Sequence, residues 1–162
     1  MGDVPTVRTI GVYGFERETF LAALAAAGVD LLLDVRQRRG VRGSEYAWAN
    51  AKRLQVALGE AGIAYAHLKE LAPTTELRQL QYREDERRGE GKRNRSVLAP
   101  AYAQGYTEEI LDHADLEPVL QLIGDSEPAL LCVERDPRAC HRSLIAERLR
   151  RDHGFEVEHL CP

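Results

Sequence analysis

The chain has 162 residues, 44% hydrophobic and 30% charged, the composition and length of one ordinary globular domain with a sizeable core. A formal net charge of -4 argues against a whole-surface electrostatic grip on nucleic acid and leaves only local basic patches for that role. No run of about 18 apolar residues is present, the start MGDVPTV carries no apolar signal core, and three cysteines are an odd and sparse count, so the expectation is a chain with no membrane span and reduced thiols in the cytoplasm.

Val7 to Tyr13, VRTIGVY, reads as the first strand, with Gly11 and Gly14 near its carboxyl end. Glu16 to Ala27 reads as a helix with Phe20, Leu21 and Leu24 on one face and Gly28 as its stop. Val29 to Val35, VDLLLDV, is a nearly continuous apolar run, the pattern of a parallel strand covered on both faces. Asp34 and Arg36 stand at its carboxyl end, before the Arg- and Gly-rich loop RQRRGVRGSEY. A helix is expected from Trp48 to Ala61 and a third strand from Ile63 to Leu68. Residues 69–98 are expected to form a variable, partly mobile insertion: Thr75 to Arg88 has some helical character, and Glu84 to Arg95 reads as a charged surface loop. Ala99 to His113 and Leu116 to Ile123 read as helices, Ala129 to Val133 as the central strand, and Phe155 to Leu160 as the last strand. The alternation predicts one α/β domain over 1–162, in three layers, with a mostly parallel sheet of about five strands and helices on both faces.

The stretch ALLCVERDPRACHRSLIAERL, Ala129 to Leu149, concentrates the chemistry. A strand carboxyl end leading into a helix start is where open α/β sheets hold ligands. Asp136-Pro137 carries the signature of that start, Asp as the cap and Pro in the first turn. Cys132 is either a small core residue or a thiolate nucleophile activated by the helix and by nearby arginines. Its five-residue separation from Arg138 matches a cysteine-phosphatase loop, but Glu134 and Asp136 would repel a phosphate dianion and no Gly-rich turn is present. His141 offers acid–base chemistry and Arg142 a forked anion clamp. A metal reading would join Cys132, Cys140 and His141 to His159 or Cys161. It is set aside because no C-x2-C pair occurs and adjacent Cys and His on one helix do not converge readily on one ion.

The segments TIGVYG, FLAALAAAGVD, LLLDVR, GIAYAHLKEL and LLCVERDPRACHRSLIAERL resemble the domain-of-unknown-function family numbered 488, and together they cover most of the chain outside 73–96. The resemblance implies a single α/β domain and places Arg36, Cys132, Glu134, Cys140, His141 and Arg142 at the family's motif positions; it brings no settled activity. Relatives often carry a GHS-like pattern after the first strand, where this chain has Val12-Tyr13-Gly14. A more distant likeness is to rhodanese-type domains, through Asp34-Val35-Arg36 and the Cys132 strand end before Arg142-Ser143.

The leading expectation is a pocket for an anionic small molecule, nucleotide or nucleic-acid phosphate over the strand carboxyl ends. His141 and Glu134 would handle protons, and Cys132 would be a wall or the nucleophile. Gly11, Tyr13, Arg36, Cys140 and Arg142 would surround the anion, with Arg36 and Arg142 as its clamps. No metal is expected and no cofactor is specified. The alternatives are Cys-dependent sulfur or phosphoryl transfer, and a non-catalytic nucleic-acid-binding or interaction domain using Arg38–Arg42 and Arg83–Arg95.

Overall fold

The computed structural model describes residues 4–162, so the first residues of the MGDVPTV start lie outside the described residues. Five strands form one sheet: β1 (Thr6–Ile10), β2 (Leu31–Asp34), β3 (Ala64–His67), β4 (Pro128–Leu131) and β5 (Glu156–Leu160). Their order is β3-β2-β4-β1-β5 and every pairing is parallel. β2 is LLLD, apolar up to the buried Asp34 at its end, β4 is PALL, and every residue in both is buried. Such strands must be covered on both faces, because a solvated face would expose alternate side chains.

Six α-helices are described: α1 (Arg17–Ala26), α2 (Ala51–Glu60), α3 (Thr75–Arg88), α4 (Pro100–Glu109), α5 (Glu117–Ile123) and α6 (His141–His153). Phe20 of α1 packs at 4.9 Å between ring centroids on Trp48, which sits in a 3-10 turn (Ser44–Ala49) before α2 rather than inside it. α6 lies on β1, β4 and β5, and α4 packs against both α6 and α3. This is the α/β class the alternation predicts, and no helix among the described residues is long and apolar enough to cross a membrane.

Two elements differ from the expectations. α6 does not begin at Asp136-Pro137. Those residues open a 3-10 turn (Pro137–Ala139), with the Asp136 carboxylate accepting from the Arg138 amide at 2.9 Å, and α6 then starts at His141 with Cys140 as its extended N-cap. Within 84–95, Glu84 to Arg88 belong to α3, in keeping with the helical character of Thr75 to Arg88; the turn beyond is largely exposed, and Arg95 departs from the surface-loop expectation by being buried. Gly89 ends α3 in the left-handed conformation at φ 69°. Helical i,i+3 and i,i+4 pairs support its last turn: Glu84 accepts from Arg87 and Arg88, which pulls its carboxyl down to about 2.

Candidate functional site

The connection leaving β2 leads to α2 and β3 on one side, and the connection leaving β4 leads through α6 to β5 on the other. The two chains diverge at the sheet's carboxyl edge, which opens a crevice there. Backbone bonds beyond the strand ends fix its walls. The Cys132 amide donates to the Ile10 carbonyl at 3.2 Å, the Val35 amide to Leu131 at 3.1 Å, and the Val12 and Tyr13 amides both to Val133.

Gly11 makes this closeness possible. A Cβ at Gly11 would overlap the Glu134 carbonyl oxygen and press on the Arg142 guanidinium. Arg142 is fully buried and donates to the Glu134 carbonyl at 2.7 Å and the Arg135 carbonyl at 3.4 Å. It braces the loop after β4 from below. Arg36 is equally committed: it forks onto Asp34 through Nε and Nη2 at 2.9 and 2.8 Å and donates to the Ala49 carbonyl at 2.9 Å. Of the two arginines expected as anion clamps, Arg36 therefore turns Nε, Nη1 and Nη2 onto the protein, and Arg142 turns Nη1 and Nη2 onto it while its buried Nε has no hydrogen-bond partner among the described residues.

At the start of α6 the backbone turns from the extended Cys140 (φ -140°, ψ 144°) into the helix. This brings Cys132, Cys140 and His141 together, all buried. His141 Nε2 lies 2.8 Å from the Val35 carbonyl oxygen. A carbonyl only accepts, so Nε2 carries the proton and donates it. Nδ1 then faces the two sulfurs, at 3.8 Å from Cys132 Sγ and 3.8 Å from Cys140 Sγ.

Charge is unevenly shared in this cluster. Burial pushes the Cys132 thiol well up. At Cys140 burial opposes ionisation, yet its bond with Cys132 and the Arg142 and His141 charges outweigh it and hold the thiol well below its usual range. For His141, burial disfavours the imidazolium, but the Cys140 charge raises its pKa overall. Burial also raises Glu134, with Cys140 adding to the shift and Arg95 opposing it. The low-energy arrangement is a Cys140 thiolate beside an imidazolium, with Cys132 as a neutral thiol.

Cys132, Glu134 and His141 line a cavity of about 50 Å³. Its other walls are Arg36, Gln37, Arg38, Arg78, Gln81, Tyr82, Lys92, Arg95 and Tyr102. Most of these come from α3 and the segment after it. Arg95 chelates Asp85 and donates to Glu134 Oε1 at 2.8 Å, which leaves buried Glu134 Oε2 without a hydrogen-bond partner. Among the described residues no carboxylate pairs with Arg38, Arg78 or Lys92; Arg78 donates to Gln37 at 2.7 Å and to the Tyr82 hydroxyl. Of the expected anion-binding residues, Tyr13 packs edge-to-face on Tyr46 under Arg93, Gly11 admits the Glu134 backbone, and Cys140 is not on the cavity wall. In the basic segment 83–95, charge alone does not separate the cavity residues Lys92 and Arg95 from the exposed Arg87 and Arg88, so sequence reasoning misses both.

No curated protein and no solved structure matches the chain. A family model described as "Domain of unknown function DUF488" matches residues 16–149, a span that holds β2, β3, β4 and every wall of the cavity; the chain belongs to that family.

Proposed function

We propose that this protein binds a small anion, or the phosphate-like group of a larger ligand, in the cavity over the carboxyl ends of β2 and β4. The observation that carries the reading is the ring of Arg38, Arg78 and Lys92, three cations without carboxylate partners among the described residues, around an opening that leads to Glu134, Cys132 and His141. Unpaired cations at the mouth of a low-dielectric cleft focus a positive field into it. About 50 Å³ holds roughly three to five waters at ~10–15 Å³ each, so the enclosed part takes a tetrahedral anion and not a nucleobase. A larger portion of the ligand would rest outside, where Tyr82 is 40% exposed at the rim.

Within this reading Glu134 handles protons. Its raised pKa keeps it able to donate to a bound anion, and its Oε2 is free to do so. Both nitrogens of His141 are engaged, so its contribution is to set the charge of the cluster. Cys-dependent group transfer is the weaker reading: the thiol on the cavity wall, Cys132, is the neutral one, and the acidic thiol, Cys140, is not on that wall.

The test is thermal denaturation of metal-free, reduced protein with inorganic phosphate, sulfate, a nucleoside monophosphate and the nucleoside alone. At a hundredfold excess over Kd a ligand adds about 2.7 kcal/mol, or a Tm rise of roughly 5–10 °C for a domain this size. The anions are expected to raise Tm and the nucleoside is not. Arg78→Ala combined with Lys92→Ala is expected to remove the shift while leaving the unliganded Tm nearly unchanged. An undiminished shift in the double variant would overturn the assignment.

A further inference from the structure

We infer that Cys132, Cys140 and His141 form a three-ligand site for a thiophilic cation of the Zn(II) class, with its fourth position open to the cavity. The three donor atoms lie within 4.8 Å of one another, and Nδ1 is 3.8 Å from each sulfur. A tetrahedral ion with Zn–S near 2.3 Å and Zn–N near 2.0–2.1 Å sets its sulfur and nitrogen ligands about 3.6 Å apart. The sulfurs therefore need only small side-chain shifts to close on an ion.

Three further features point the same way. The proton on Nε2 is fixed by the Val35 carbonyl, which leaves Nδ1 as the coordinating atom and orients the ring as a backbone carbonyl does behind metal-bound histidines. The donor set of two thiolates and one imidazole is soft and suits zinc over magnesium or calcium. Glu134 Oε2, in a side chain only 9% exposed, has no partner of its own among the described residues, and the carboxyl lies against Cys140. It is placed to accept from a water or ligand in the fourth position.

The convergence of neighbours Cys140 and His141, which a continuous helix forbids, follows from the cap. Cys140 is extended and His141 is the first helical residue, so their side chains need not splay by a helical step. His159 and Cys161 are not part of the site: His159 bonds the Thr9 hydroxyl at 2.6 Å, and Cys161 is exposed. Because Cys132 and His141 line the cavity and Cys140 does not, an ion would enter from the Arg78 side. Coordination takes two thiolates and a neutral imidazole, so the proton of the Cys132 thiol and the Nδ1 proton of the His141 imidazolium both leave to solvent as the ion binds, while the Nε2 proton stays on the Val35 carbonyl.

The experiment loads reduced, chelator-treated full chain with Co(II) and then Zn(II). The expected result is one Co(II) per chain, with a near-ultraviolet thiolate charge-transfer band, displaced by one equivalent of Zn(II). Cys161→Ser is expected to keep the band; Cys132→Ser and Cys140→Ser are expected to lose it, and His141→Gln to weaken binding at least tenfold. X-ray absorption on zinc-loaded wild type covers the case where a cysteine variant does not fold. Two sulfurs near 2.3 Å with nitrogen or oxygen near 2.0 Å support the site, whereas a shell of nitrogen and oxygen alone overturns it. Absence of a charge-transfer band, or a band unchanged in Cys140→Ser, overturns it as well. The site is independent of the anion reading: a phosphate shift in chelator-treated protein tests that reading alone, and the cobalt band tests this one alone.

Discussion

Two glycines carry opposite predictions because their surroundings differ. At Gly11 a methyl group would enter the Glu134 carbonyl, a backbone atom held in place by Arg142. Neither neighbour is a flexible side-chain end, so Gly11→Ala is expected to cost at least about 1–3 kcal/mol and to shift the loop that presents Cys132 and Glu134. At Gly59, inside α2, nothing lies within 4 Å of an added methyl group, and the backbone is already helical. Gly59→Ala is expected to add about 0.5 kcal/mol through helix propensity. Urea denaturation of both variants checks the pair, and two shifts of the same sign would contradict the argument. Arg142 belongs to the same logic. Fully buried and bonded to two carbonyls, it holds the loop in shape, so Arg142→Ala is expected to cost about 3 kcal/mol or more.

The element that completes the cavity is α3 with the segment that follows it, and one side chain holds that segment down. Arg95 joins Asp85 within α3 to Glu134 on the loop after β4, and all three are buried. Arg95→Met would leave two buried carboxylates without a cation, at a cost of about 3–5 kcal/mol. The expected result is a lower denaturation midpoint together with faster tryptic cleavage at Arg87, Arg88 and Arg93; equal cleavage rates would mean that the segment is held by other contacts. This element is also the least legible in the sequence. The strands announce themselves because LLLD and PALL are apolar runs apart from the terminal Asp34, and the motif Cys132, Glu134, Cys140, His141 stands out because it opens directly after a strand. In 84–95 the partner of Arg95 is 39 positions away at Glu134, and a local charge pattern carries no record of such a pair. The start of α6 is obscured for a similar reason. Asp136-Pro137 has the composition of a cap, and it caps a single 3-10 turn before Cys140 takes over the real one.

At the scale of the molecule, the sheet's carboxyl edge gathers its buried ionisable groups, and their linkage shapes stability against pH. Take the reduced, metal-free protein. Between 6.5 and 9.0, the ordinary values of His and Cys, the unfolded chain carries a neutral imidazole and a protonated thiol for this pair, one proton in all. The folded pair of Cys140 thiolate and His141 imidazolium also holds one, so it contributes no slope from 6.5 upward until the raised His141 gives up its proton. Below 6.5 the unfolded His141 gains a proton that the folded pair does not take up until the lowered Cys140 titrates, and stability falls with falling pH at about 1.4 kcal/mol per unit. His159, lowered by burial and by Arg142, acts in the same direction below 6.5. Glu134, raised by burial, acts the opposite way, because its contribution is present below 4.5 and is lost as pH rises through its folded value. Above 9.0 the folded state keeps a proton on Cys132 that the unfolded chain has released, and this group lowers stability as pH rises. The expected profile of unfolding free energy, measured by urea at each pH, is a plateau that begins near 6.5 and lasts until His141 titrates, with a decline on its acid side. In Cys140→Ser the strongest influence raising His141 is gone and burial works against the imidazolium, so the acid-side decline is expected to persist with no lowered thiol to end it. A steady slope across the plateau in wild type would mean that Cys140 and His141 do not share one proton in the way their contact implies, and the charge assignment of the whole site would have to be reversed.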